Sequence, residues 1–280
     1  MAEAEMMRKI FLTASLALVC LGAGAQEFTW SRHVMDGSRT GVKASNADNV
    51  TEVMGSMKGR KYVAPNGRKF KKGVTPEVAS LLLGAQPQMT ELKQVVAYST
   101  NEMIREYPEC EIGNWFVDAL MSEVEKISGR KVDFAVTNFG GIRVDMPKGD
   151  VLLDDIVSMF PFKNKVCYLD IKGKDIRVLL EHLAAKGWQN VGGARCVVRD
   201  KKLVSAEIGG EPLDDERIYG VATVDFLLNG GDDIFVARNA VDLKIYDQIV
   251  IDVILPYVRS LTAQGKPIEY AKDGRIQIID

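Results

Sequence analysis

The sequence predicts a mixed α/β fold (α+β), a mixed β-sheet flanked by helices, on three observations. Strand-like runs rich in Val, Ile, Phe and Tyr at 132–137, 166–171 and 219–226 interleave with helical stretches whose apolar residues recur every three or four positions. The interleaving keeps no steady strand–helix–strand rhythm, so an all-parallel sheet is not expected. No segment recurs at a fixed period, which excludes solenoids and propellers.

At the N-terminus, Arg8 and Lys9 precede an apolar run at 10–21, and Ala23-Gly24-Ala25 offers a small-x-small cleavage site. That order predicts an export signal over 1–25 and a periplasmic or secreted chain. The run is shorter than the roughly 20 apolar residues a spanning helix needs, and no later segment is a candidate for one. Val19 stands where a lipoprotein signal wants a small residue, so soluble export is expected rather than a lipid anchor at Cys20. With 46% hydrophobic residues the chain can bury a core, and its net charge of −2 argues against broad nucleic-acid binding. Cys110, Cys167 and Cys196 are an odd, widely spaced set without CxxC spacing; a disulfide framework is not expected, although one pair could form.

Residues 26–97 read as an N-terminal arm, irregular with short strands as far as Pro76. Seven of the fifteen residues at 58–72 are basic, read first as a solvated face and second as a patch for an anionic ligand or partner. Asn66-Gly67, between Tyr62-Val63 and Phe70, signals a small hairpin. Thr75-Pro76-Glu77 reads as a helix start with Thr75 as cap. The stretch at 89–98 leads to a strand at 95–98.

The main domain is expected over 98–280. Phe116, Leu120 and Val124 line one face of a helix, with Val117 and Met121 beside them. The run at 132–137 alternates as a strand, 154–159 is a short helix, and 166–171 is a strand. Ile176, Leu179, Leu180 and Leu183 mark a helix after a turn at Gly173. Residues 196–198 and 203–208 form a hairpin through Asp200-Lys201-Lys202, and 219–226 is another strand. In the helix after Asp247, Pro256 should kink or break the rod. Ile276 and Ile278 alternate in a closing strand.

The two histidines, His33 and His182, are too few for the usual catalytic metal centre, and His182 reads as an ordinary helix residue. No G-x-S-x-G suggests a serine hydrolase. Three loops carry the chemistry instead. In the first, Asn138 is followed by Gly140 and Gly141, which let backbone approach a ligand, and by Arg143 with planar donors for phosphate or sugar oxygens. In the second, Pro161 could hold Phe162 out as a rigid plate, and Asn164 has the donor and acceptor to read a base edge. In the third, Phe226 offers a second plate, and Asp232 after Gly230-Gly231 an acceptor for ribose hydroxyls. Each has a plainer reading: a tight turn with a surface arginine, core phenylalanines, and an aspartate capping its own turn.

In order, Gly113-Asn114 with Asp118-Ala119, 133–138, Gly140-Gly141-Ile142-Arg143, Gly149-Asp150, Phe160-Pro161-Phe162 with Asn164, Gly173-Lys174 and Gly230-Gly231-Asp232 resemble the C-terminal domain of the 5'-nucleotidase family over roughly residues 98–280. The resemblance implies nucleoside or nucleotide binding: Phe162 and Phe226 sandwiching the base, Asp232 on ribose, Arg143 on sugar or phosphate, Asn138 and Asn164 near the base. It also implies phosphoric monoester hydrolysis by a metallophosphoesterase domain with two divalent metals and an Asp-His pair, which the residues before Tyr98, few and poor in histidine, are not expected to build. Neither a catalytic residue nor a cofactor is therefore expected in this chain; a separately encoded metallophosphatase is the expected partner. A stand-alone exported nucleotide-binding protein and a structural or interaction protein on a degenerate nucleotidase fold are the alternatives. The sequence departs from the family at Phe139, where a glycine is common, at Lys163, also commonly glycine, and at Asp233-Ile234, where an aromatic often follows. Arg105 is an unaligned candidate for the family's upstream phosphate arginines.

Overall fold

A computed structural model describes residues 49–279. The expected export signal, Cys20 and His33 lie outside the described residues. In chain order the elements are α1 (Val50–Met54), β1 (Ser56–Lys58), β2 (Lys61–Val63), β3 (Lys69–Phe70), α2 (Val74–Ala85), β4 (Val95–Ser99), α3 (Glu111–Ser128), β5 (Phe134–Thr137) and β6 (Gly149–Leu152). They continue with α4 (Leu153–Met159), β7 (Lys165–Lys172), α5 (Gly173–Lys186), β8 (Asn190–Gly192), β9 (Ala194–Arg199), β10 (Lys202–Ile208) and β11 (Glu211–Pro212). The last are β12 (Ile218–Val224), β13 (Asp242–Ile249), α6 (Val250–Ala263) and β14 (Ile276–Ile279).

The main sheet runs β13-β7-β12-β5-β8 and is mixed, as expected: β5 and β12 are parallel, and every other neighbour is antiparallel. A second sheet runs β11-β10-β9-β14, and β4 pairs with β6. Helix α3 packs on β5 and β8 and against α6, presenting Trp115, Phe116, Leu120 and Val124 to the core. Phe160 is wedged against this face, 4.5 Å from the Phe116 ring and 6.4 Å from that of Trp115.

This topology places the three loops. Because β5 and β12 are parallel, the chain leaves them at Asn138 and Asp225 at the same end of the sheet. Strand β7 runs against β12, so the chain enters it at Lys165 at that same end, and β13 closes there as Ile249 pairs with Lys165. Four segments remote in sequence therefore meet at one edge.

Several expectations hold and several need correction. The Asn66-Gly67 hairpin forms, with Tyr62 opposite Phe70 and Gly67 at φ +81°. Strand β5 is buried at all four residues rather than on alternate ones: it lies inside the sheet, between β12 and β8, with helix α3 packed on it. Helix α2 starts from Gly73, not Thr75, which falls inside the first turn with Pro76, where a missing N–H costs no hydrogen bond. Gly173 is the first residue of α5 rather than a turn before it; a side chain there would overlap the Asp214 carbonyl oxygen, 1.9 Å from its Cβ position. Strand β12 ends at Val224, and Phe226 sits in the 3-10 turn Asp225–Leu227. Pro256 does not end α6: it lies on the exposed face one turn after exposed Asp252, the residue whose carbonyl would otherwise take the N–H that proline lacks. Ile276 is buried but Ile278 is 57% exposed, since β14 is the sheet's edge. Cys110, Cys167 and Cys196 are all buried and free.

Candidate functional site

The loop after β5 is a tight 3-10 turn, closed by the Gly141 N–H donating to the Asn138 carbonyl at 3.0 Å. Asn138 is buried, and its Nδ2 donates to Asp232 Oδ2 at 2.8 Å, tying the first loop to the third across 94 residues. A side chain at position 141 would press on this amide, because a Cβ there would stand 2.9 Å from Asn138 Oδ1. The Phe139 N–H donates to Gln189 Oε1 at 2.6 Å while its ring packs on the core, so this departure from glycine is absorbed structurally.

The second loop is tied to the other two. The Arg143 N–H donates to the Met159 carbonyl at 3.0 Å, and the Lys165 N–H to Asp225 Oδ1 at 3.0 Å. Val250, at the start of α6, donates its N–H to the Asn164 carbonyl at 3.0 Å. Arg143 is exposed; its guanidinium lies 5.8 Å from the Phe162 ring centre and donates to the Gly140 carbonyl at 3.3 Å. Phe162 is 45% exposed and Phe226 43%, so neither ring is sealed in the core.

A cleft opens between the first two loops. Asn138, Gly141, Phe162 and Asn164 line it, together with Thr137, Phe116, Phe160 and Val250, which sequence reading had not assigned to a site. Thr137 Oγ1 is buried and meets no hydrogen-bond partner among the described residues. Phe226 and Asp232 flank the cleft on the third loop rather than lining it. That loop is shaped by glycine: at Gly231 a Cβ would come within 2.2 Å of the Phe226 carbonyl oxygen and 2.7 Å of its ring. Asp232 itself is left-handed, at φ +51°. Beneath the loops, burial first and the Asp225 carboxylate second push the Cys167 thiol up to about 12.

Two other polar residues are committed elsewhere. Arg105 donates to Asp145 at 3.1 Å and to the Ile142 carbonyl at 2.8 Å. His182 lies on α5, its Nε2 3.6 Å from Asp233 Oδ2.

Residues 94–238 match the family described as 5'-nucleotidase, C-terminal domain. The chain belongs to that family. Among curated relatives it is 30% identical over 216 residues to an apyrase of Tabanus yao, covering 66% of this chain and 38% of the apyrase. It is 34% identical over 105 residues to protein UshA of Escherichia coli, covering 36% of this chain and 19% of UshA. The chain thus spans well under half the length of these relatives. Among solved structures, a 5'-nucleotidase precursor of Thermus thermophilus superimposes with a TM-score of 0.65 at 26% identity, covering 78% of this chain and 45% of that one. The NAD nucleotidase of Haemophilus influenzae shares the fold, with a TM-score of 0.56 at 15% identity, over 78% of this chain and 47% of that one.

Within this 5'-nucleotidase C-terminal domain the two divalent metals implied by the resemblance find no fit. Among the described residues, no group of three or more His, Cys, Asp or Glu side chains could hold a metal ion. No hydrolytic step is therefore assigned to the side chains of the described residues. Also among them, no helix is long and apolar enough to cross a membrane.

Proposed function

We propose that this chain is the nucleotide- or nucleoside-recognition part of a 5'-nucleotidase-type phosphohydrolase, acting after export in nucleotide catabolism with a separate metallophosphatase that holds the two divalent metals. One observation carries the reading: three loops remote in sequence meet at one end of the sheet, linked through Asn138 and Asp232, with two half-exposed phenylalanines on them. In this reading the phenylalanine faces take the base, and a stacked base gains about 1–3 kcal/mol per aromatic contact. Asn164 reads the base edge with donor and acceptor. The Asp232 carboxylate accepts from ribose hydroxyls, and Arg143, at the outer rim, reaches sugar or phosphate.

Titration with adenosine and AMP tests recognition. Saturable binding is expected, and Phe162→Ala and Phe226→Ala should each weaken it by about 1–3 kcal/mol. Absence of binding to any nucleoside or nucleotide ends the reading. Mixing with a metal-loaded phosphatase that co-purifies with the chain tests the partnership. Hydrolysis should rise in the mixture and fall back with Phe162→Ala; a phosphatase equally efficient alone leaves a binding protein only.

A further inference from the structure

The arm preceding the nucleotidase domain carries a surface that nucleotide recognition does not use. Lys58, Arg60, Lys61, Arg68, Lys69, Lys71 and Lys72 follow one another with no Asp or Glu between Glu52 and Glu77. All but half-buried Lys61 are exposed, and none takes part in any ion pair among the described residues. Strand register concentrates them. Lys58 stands directly opposite Lys61, and the pairing of Tyr62 with Phe70 brings Lys71 and Lys72 back toward the same end of the small sheet. Like charges facing each other across strands destabilise a sheet, so nothing in the fold itself calls for this arrangement.

Helix α2 begins two residues after Lys72, at that same end. Its apolar stripe points outward: Val74, Val78, Leu81 and Leu82, spaced along one helical face, are 70%, 45%, 75% and 53% exposed. Soluble helices normally turn such a stripe to the core. The remainder of the chain has the opposite charge. Taking the seven cations from 36 basic residues leaves 29 against 38 acidic, a net of −9.

We propose that the β1–β3 hairpins and α2 form a docking surface for an anionic phospholipid bilayer. The lysines and arginines meet headgroup phosphates, while Val74, Val78, Leu81 and Leu82 enter the boundary between headgroups and acyl chains. A nucleic acid would use the cations but leave the leucines in water. The acidic remainder is repelled by the same surface, which orients the chain with its basic end down.

Sedimentation of the full chain with phosphatidylglycerol-containing vesicles tests the proposal. Pure phosphatidylcholine vesicles give the baseline, including whatever the apolar run at 10–21 contributes. Binding above baseline is expected with phosphatidylglycerol and should fall steeply with salt. Lys58→Glu/Lys61→Glu/Lys71→Glu should weaken it about ten-fold or more, given roughly 1 kcal/mol per cation at an anionic surface. Leu81→Ser/Leu82→Ser should also weaken it while preserving the salt dependence. Circular dichroism verifies that both variants fold, and their adenosine titrations should be unchanged. No phosphatidylglycerol-dependent binding, or binding indifferent to both variants, overturns the proposal. So does a Leu81→Ser/Leu82→Ser chain that changes oligomeric state and not vesicle binding, which would assign the stripe to a second copy.

Discussion

Thr137 is 1% exposed, and its hydroxyl has no partner among the described residues, although Thr223 on the neighbouring strand β12 donates its own hydroxyl to the Val136 carbonyl at 2.8 Å. A buried hydroxyl left unpaired costs about 1–3 kcal/mol, so a protein that keeps one at the wall of a cleft gains from it only when something else binds there. Thr137→Val nearly preserves shape and removes the orphan. Stability should rise by about 1 kcal/mol in urea titrations, while calorimetry should show weaker nucleoside binding. A variant that binds undiminished would leave the hydroxyl without a role. Asp232 makes a similar case, since its φ of +51° is a region that non-glycine residues enter at a cost. Asp232→Gly relieves the backbone but removes the carboxylate that also anchors Asn138, so ribose-bearing ligands should lose more affinity than the free base, which loses only that anchoring. The residue types at these positions were legible in the sequence, as amides, glycines and carboxylates in loops. The bond from Asn138 to Asp232 was not, because nothing local in either loop encodes a partner 94 residues away. Thr137 was missed because, before the loop begins, it reads only as the last β-branched residue of a strand.

Elements whose period is strong were legible: α3, α5 and the hairpin of β9 with β10 follow directly from spacing and turn residues. Errors arose where a local signal competed with tertiary context. Thr75 has the chemistry of a cap, but the helix starts before it at Val74, after Gly73 turns the chain at φ +88°, a backbone that glycine enters freely. Pro256 has the chemistry of a breaker, but the buried stripe of Val250, Val253, Ile254 and Val258 holds α6 together around it. That residual cost is measurable: Pro256→Ala restores an N–H donor to the Asp252 carbonyl and should stabilise the chain by more than about 1 kcal/mol. The turn between β9 and β10 offers a second test. Arg199 pairs with Lys202, leaving Asp200 and Lys201 both left-handed, at φ +49° and +59°. A two-residue turn of this kind favours glycine at its second position. Lys201→Gly should therefore raise the urea midpoint by the equivalent of about 1 kcal/mol, and an unchanged or lowered midpoint would contradict that turn geometry.

At the scale of the whole molecule, the C-terminus is locked to the main helix. Arg275 is buried, donates to both Asp118 oxygens at 2.9 and 3.0 Å, and also holds Asp273; Tyr270 donates to the same Asp118 at 2.9 Å. A long-range cluster of this kind has no sequence signature beyond its charges, which is why the closing segment read only as a strand. The three buried thiols extend the argument to pH. Burial pushes the Cys196 thiol up to about 12, and Cys167, with Asp225 adding to its burial, reaches the same value. In the unfolded chain a thiol ionises near about 8.5. A folded pKa raised in this way gives stability that is fully present below the unfolded value and is lost as pH climbs toward the folded one. Unfolding free energy should thus fall between about pH 8.5 and 12, by at most about 1.4 kcal/mol per pH unit for each thiol. Urea midpoints at pH 7.5, 9 and 10.5 measure the slope. Cys167→Ala/Cys196→Ala should lower stability at pH 7.5 through the lost packing, yet flatten the alkaline decline. A double variant that declines as steeply as the parent would show that these thiols do not govern it.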